Sequence, residues 1–143
     1  MHELLDAHLK RLDDRIADLA ILTAGAVLLW LNTARDEESG GRFVGFAFLR
    51  PYHPLPSFLR AAEISCFLDP VYAGRGIGTR MLERIAAEAM RKGIDTILAN
   101  VSSLNEASLR FHARRGFVEC GRFKRVAKKK GRDLDAVWMQ LTL

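Results

Sequence analysis

Apolar residues recur along this chain in two rhythms. Near the start, Leu5, Leu9, Leu12, Ile16 and Leu19 follow at steps of four and three, which places them on one face of an amphipathic helix. Ile77, Met81, Leu82, Ile85 and Ala89 repeat that stripe within GIGTRMLERIAAEAMRKG, and Gly93 supplies its stop. NEASLRFHARRG predicts a shorter helix, with Asn105 at the N-cap and Gly116 at the end. On that helix Phe111 is expected to face the core, with His112 one step round. The other rhythm is that of strands: AVLLWLNTA after Gly25, FVGFAFLRPY, AEISCFL, IDTILANVS, and finally FVECGRFKRV with LDAVWMQLTL. The polar RDEESGGR makes an antiparallel hairpin of the first two strands, and Pro51, Pro54 and Pro56 force an irregular loop after them. Asp69-Pro70 stops the third strand. With no repeat, low-complexity stretch or linker, the pattern predicts one domain over residues 1–143. Its class is α/β (α+β), a mixed sheet flanked by helices.

Composition narrows this picture. At 143 residues and 49% hydrophobic content, the chain suffices for one core and is short for two. Its longest apolar run, AILTAGAVLLWL, falls short of the roughly 20 residues of a membrane span. The start, MHELLDAHLKRLDDR, has no apolar stretch of signal-peptide type. Cys66 and Cys120 have neither paired metal spacing nor a disulfide framework, so a reduced, cytoplasmic protein without metal is expected. The formal net charge of +5 is concentrated late: Arg114, Arg115, Arg122, Lys124, Arg125, Lys128, Lys129, Lys130 and Arg132 crowd one stretch. Such a cluster attracts polyanions but is most often a solvated face. Only Phe117 and Phe123 stand among these charges, so no base-stacking platform is expected and nucleic acid is a minority reading.

The chemistry gathers at YAGRGIGTR, residues 72–80, between a strand and a helix start. Such a turn offers backbone N–H groups at the positive end of a helix dipole, a general site for phosphate. Gly74, Gly76 and Gly78 are spaced GxGxG, which fits neither the dinucleotide motif GxGxxG nor a P-loop ending in GK[ST]. On spacing alone, a turn that serves only chain geometry stays open.

EISCFLDPVYAGRGIGTRMLERI followed by ANVSSLNEASLRFHARRGFVECGRF resembles the GNAT superfamily of acyl-CoA-dependent N-acetyltransferases, and within it the phosphinothricin N-acetyltransferase-like group. The marks are AEIS at 62–65, the glycine turn, and N-x-x-S-x-x-F-H-x-x-x-G-F from Asn105 to Phe117. The resemblance implies a mixed, mostly antiparallel twisted sheet flanked by helices, here without the family's first strand and first helix. It implies acetyl-CoA as co-substrate and no metal, with the pyrophosphate of coenzyme A on the turn formed by Gly74, Arg75, Gly76, Ile77, Gly78 and Thr79. The pantetheine arm would pair with the backbone of Cys66, Phe67 and Leu68 as an added strand, and Asn105 would hydrogen-bond it from the far side.

The resemblance also implies catalytic residues. Glu63 matches the group's glutamate and would take the proton from an amine, directly or through water. His112 stands where a hydrogen bond or proton would reach the leaving thiolate. Cys66 as an acyl-enzyme nucleophile is the lesser route, because a cysteine in an apolar strand is usually inert. At the turn's first position stands Ala73, where the superfamily often has glutamine or arginine, and Asp133 stands where the group often has an aromatic residue. The expected activity is direct acetylation of a small amino-acid-like amine: phosphinothricin, methionine sulfone or sulfoximine, or an amino acid. A homodimer is the expected assembly. The rivals are an idle acyl-CoA-binding module and, less so, a basic nucleic-acid-binding domain carried by RFKRVAKKKGR.

Overall fold

The computed structural model describes Trp30–Asp36, Glu38 and residues 40–143. The predicted helix of Leu5–Leu19 and the first residues of AVLLWLNTA lie outside the described residues. Six strands, β1 (Trp30–Asp36), β2 (Arg42–Pro51), β3 (Ala61–Leu68), β4 (Thr96–Ser102), β5 (Val118–Lys129) and β6 (Arg132–Thr142), form a sheet in the order β1-β2-β3-β4-β6-β5. Two helices complete the described part, α1 (Ile77–Arg91) and α2 (Glu106–Arg114). β3 and β4 are parallel, whereas β1–β2, β4–β6 and β5–β6 are antiparallel. The chain gathers into two compact units, Met1–Arg50 with Ser65–Ile85, and Pro51–Ile64 with Ala86–Leu143.

In the first unit β1 and β2 form the expected hairpin, from Trp30↔Leu49 to Asp36↔Arg42. The predicted turn is shorter than its polarity suggested. Arg35 and Asp36 stay in the strand, and Gly40 and Gly41 turn the chain at φ 77° and 82°, where a side chain would be strained. On β2, Ala47 and Leu49 are fully buried while Phe46 and Phe48 lie on the other face, stacked at 6.2 Å. Gly45 is there because of crowding. A Cβ on it would fall 2.5 Å from the Phe67 carbonyl oxygen and 3.2 Å from Leu68 Cα. The Asp69 N–H donates to the Val44 carbonyl at 2.8 Å, closing the same junction.

In the second unit the end of α1 is closed by Gly93 at φ 79°, where the Ile94 N–H reaches back to Ala89 O at 2.9 Å. β3 pairs with β4 from Ala61↔Thr96 to Ile64↔Ala99, and β4 with β6 from Thr96↔Thr142 to Ser102↔Ala136. Period-two alternation buries Ala62, Ile64, Ile97, Ala99, Val101, Val137 and Met139 on one face. β5 and β6 meet in a two-residue turn with both residues left-handed, Lys130 at φ 51° and Gly131 at φ 77°, the geometry that matches hairpin twist. β5 is exposed along its whole length, so its basic residues form a solvated strand. Where its register slips, Arg125 takes φ 52°, and its N–H donates to Asp135 Oδ1 at 2.9 Å.

Asn105 caps α2 as expected, its Oδ1 accepting from the Ser108 N–H at 3.1 Å. The helix face differs from the expectation. His112, not Phe111, is the buried residue, while Phe111 lies half-buried with the Arg115 guanidinium 4.4 Å above its ring. Burial of an imidazole is possible here because Nδ1 donates to the Ser108 carbonyl at 2.8 Å. The ring also meets Phe111 and Phe117 edge-on, at 5.3 Å and 5.0 Å. Burial outweighs that hydrogen bond and holds the His112 pKa below its ordinary 6.5.

Two outcomes follow from this packing. Gly45→Ala should lower unfolding free energy by roughly 1–3 kcal/mol, the range for forcing extra atoms into a filled site. Gly121→Ala, with nothing within 4 Å of the added Cβ, is the control that should stay near parental stability. Equal stabilities for the two variants would count against the Gly45 crowding. Because the folded pKa of His112 lies below 6.5, the unfolded chain takes up a proton that the native ring resists. The associated stability is therefore present above about pH 6.5 and lost as pH falls through it. Denaturant midpoints between about pH 7 and pH 5 should drop less for His112→Phe than for the parent, and parallel slopes would refute this.

Candidate functional site

The glycine turn is built from both of its ends. At the end of β3, Asp69 is buried and its Oδ1 accepts from the Val71 N–H at 3.0 Å, shaping a single 3-10 turn over Pro70–Tyr72. Tyr72 is buried beneath it, and Arg75 lies over its ring at 5.0 Å. Gly74 and Gly76 both adopt φ 78°, and a Cβ on either would meet nothing within 4 Å. Their need for glycine is therefore conformational, and the backbone beside them lies open to an approaching group. α1 starts at Ile77, and the Arg80 N–H donates to Gly76 O at 3.1 Å. The N–H groups of the first turn precede that bond and face out of the helix start, with no acidic side chain among them.

The same unit holds a cavity of about 570 Å³, lined by Arg35 and Asp36 of β1 together with Tyr72, Arg75, Arg80 and Arg84. Four guanidinium groups around one cavity make it electropositive, although Asp36 and Glu38 also reach its lining. Sequence reasoning named only Arg75. Arg80 and Arg84 are spaced i, i+4 on α1, a signal that was legible, whereas Arg35 joins them only through the fold.

On β3 the expected arm-binding residues fall in three environments. Phe67 is half-buried, stacks on Phe46 at 5.7 Å, and turns its carbonyl against Gly45. Leu68 crowds the same glycine. Cys66 keeps solvent access, yet the protein around its sulfur pushes the thiol up to about 11. The two facts together describe a thiol on an open wall: reachable by water, but too poorly solvated to ionise near neutral pH.

Glu63, Asn105 and His112 belong to the second unit, while Cys66, Phe67, Leu68 and the turn from Gly74 to Thr79 belong to the first. Glu63 alternates with the buried Ala62 and Ile64, so its half-buried side chain lies on the opposite sheet face, beside Leu98 and in line with Gln140. The Asn105 side-chain oxygen is committed to the α2 cap, which leaves its amide N–H groups for any further bond. His112 keeps its proton on Nδ1, facing Ser108 O, and Nε2 presents a lone pair. Near neutral pH that ring accepts at Nε2 and has no proton there to give. Among the described residues no group of three His, Cys, Asp or Glu side chains is placed to hold a metal, and no helix is long and apolar enough to cross a membrane.

The chain is similar to an L-methionine sulfoximine/L-methionine sulfone acetyltransferase of Salmonella typhimurium, 34% identical over 106 residues, covering 74% of this chain and 62% of that protein. It is 32% identical over 113 residues to a phosphinothricin N-acetyltransferase of Streptomyces coelicolor, covering 79% and 66%. Among solved structures, yncA from Salmonella typhimurium, determined with its cofactor acetyl-CoA, superposes at a TM-score of 0.66 with 33% identity, covering 71% of this chain and 59% of that one. The chain thus spans less than two thirds of the length of these relatives. The model of the acetyltransferase (GNAT) family matches residues 3–117, which include the glycine turn and α2, and the chain belongs to that family.

Proposed function

We propose that this chain transfers the acetyl group of acetyl-CoA to the amine of a small amino-acid-like acceptor. The observation that carries the reading is the turn from Gly74 to Thr79: two left-handed glycines with open space beside them lead into the start of α1, whose first turn carries no acidic side chain. Such a turn suits a pyrophosphate, whose oxygens need backbone donors and room to approach. The guanidinium groups of Arg75, Arg80 and Arg84 add positive charge to the same unit. Relatives named for phosphinothricin and for methionine sulfoximine and sulfone support the acceptor class. When bound, acetyl-CoA supplies an activated thioester carbonyl and a thiol leaving group.

The chain's own residues divide the remaining work. Backbone amides of Gly74, Gly76, Ile77, Gly78 and Thr79 would hold the pyrophosphate. The backbone of Cys66 and Leu68, with the Asn105 amide, would hold the arm, while the Phe67 carbonyl is already turned toward Gly45. Glu63 would take a proton from the acceptor's ammonium group and free the nitrogen lone pair to attack. His112 enters as a positioning residue, because its proton is held by Ser108 O and its low pKa keeps the ring neutral. A thiol held up near 11 is a poor nucleophile at neutral pH, which favours direct transfer over an acyl-cysteine route through Cys66. Free thiols at Cys66 and Cys120 suit a reducing compartment such as the cytoplasm.

The basic strand favours no nucleic-acid role, since Arg122 is paired with Glu119 and Asp135, and Lys128 with Asp133. A homodimer is part of the proposal. It is supported by exposed Val118, Phe123 and Val126 on β5, a strand at the end of the sheet order. Sedimentation at micromolar protein should give twice the chain mass, and monomer alone would exclude it.

Thiol release from acetyl-CoA over a panel of amino acids and their analogues tests the reaction itself. Glu63→Gln should lower kcat/KM by roughly 10²–10⁴, the range for a lost general base. Acetyl-CoA affinity should be unchanged, and the deficit should shrink at high pH, where solvent supplies free amine. Parental turnover in that variant would remove Glu63 from the mechanism. Binding of acetyl-CoA without release for any amine would favour the idle binding module.

A further inference from the structure

Glu63 has company on its face of the sheet. Trp138 lies between buried Val137 and Met139 on β6, so its indole projects from the opposite face, the one that carries Glu63, Leu98 and Gln140. Tyr52 starts from the far side of β3, where its N–H donates to Ala61 O at 3.1 Å. From Tyr52 across β3 and β4 to β6 is three strand spacings, roughly 14 Å at the usual spacing of about 4.8 Å. The two ring centroids are nevertheless 6.5 Å apart, edge to face at 81°. Both rings must therefore lean inward over β3 and β4, above the strip that carries Glu63 and Leu98.

The wall continues outward. Phe58 meets Tyr52 at 5.8 Å and 69°, and His53 meets Phe58 at 4.9 Å. Tyr52 and Phe58 stay 44% and 39% exposed, far more than structural packing needs of such large rings. Every one of these residues belongs to the second unit.

We infer that Tyr52 and Trp138 form the acceptor wall, receiving the substrate amine as an ammonium ion between their rings and the Glu63 carboxylate. The inference rests on the proposed role of Glu63 and names the chemistry of the same site. Aromatic faces attract a cation through the ring quadrupole, and a carboxylate beside them completes the charge match. An ammonium held there lies next to the base that takes its proton. The wall suits the ammonium end of an amino-acid-like acceptor, since the open aromatic surface and Glu63 present negative potential to it.

The test uses the full chain carrying Trp30→Phe, which leaves Trp138 as the only tryptophan. Titration with tetramethylammonium, a cation that cannot be acetylated, should change indole fluorescence saturably, and neutral tert-butanol should not. Tyr52→Leu should weaken that binding and raise acceptor KM by about tenfold, while Tyr52→Phe, which keeps the ring, stays near the parent. Acetyl-CoA KM and kcat should hold within about twofold in both, since the rings act on the ammonium ion and on no other step. A flat titration, an equal response to tert-butanol, or a Tyr52→Leu acceptor KM within about twofold of the parent overturns the wall, a change of about twofold being smaller than the weakest cation–π loss. Thiol release with a flat titration rejects the wall alone, whereas a saturable titration without thiol release upholds the wall and rejects the transferase reading.

Discussion

The parallel pairing of β3 with β4 is the constraint on which the rest of this molecule depends. Two adjacent parallel strands cannot be joined by a hairpin, so the chain must leave β3, cross over and return to begin β4 beside Ala61. The crossover is α1, and its first turn comes a few residues past the end of β3. The glycine turn is thereby placed at the carboxyl end of a strand, the position where open α/β sheets tend to bind their ligands. The glycines at 74 and 76 make the turn passable and keep its backbone open, while Asp69 and the 3-10 turn after it set the direction of entry.

The same strand presents two chemistries on its two faces. Ala62 and Ile64 go to the core, which obliges Glu63 to face the other way, among half-buried neighbours instead of a sealed apolar layer. A carboxylate tolerates that position because it is only half-buried. His112 shows the opposite solution. It is buried, its one ring proton is satisfied by Ser108 O, and burial keeps it neutral, so the atom left for chemistry is an acceptor. Two titratable groups of one unit thus divide into a half-buried carboxylate and a buried, neutral imidazole.

Much of this was written in local sequence. The stripe through Met81, Leu82, Ile85 and Ala89, the stop at Gly93 and the cap at Asn105 each depend on residues within a turn or two of one another, so backbone sterics and short-range hydrogen bonds suffice to specify them. Alternation along AEISCFL likewise sends Glu63 away from the core without reference to any other strand. The glycine turn was legible for the same reason, as was the family likeness that its residues carry. Other features were not local. Phe111 outranks His112 in hydrophobicity, but the Ser108 carbonyl one turn back satisfies the imidazole and Arg115 covers the phenyl ring, and that balance reversed their places. Gly45 has no turn to explain it; its need arises from the Phe67 carbonyl, 22 residues away. Tyr52 and Trp138 are 86 residues apart and meet only because three strand pairings carry both rings over the strip above Glu63. Sequence by itself determined the elements and the groups able to do chemistry, because those rest on nearest-neighbour physics. Tertiary structure decided which of these groups face one another, because register sums packing over the whole sheet.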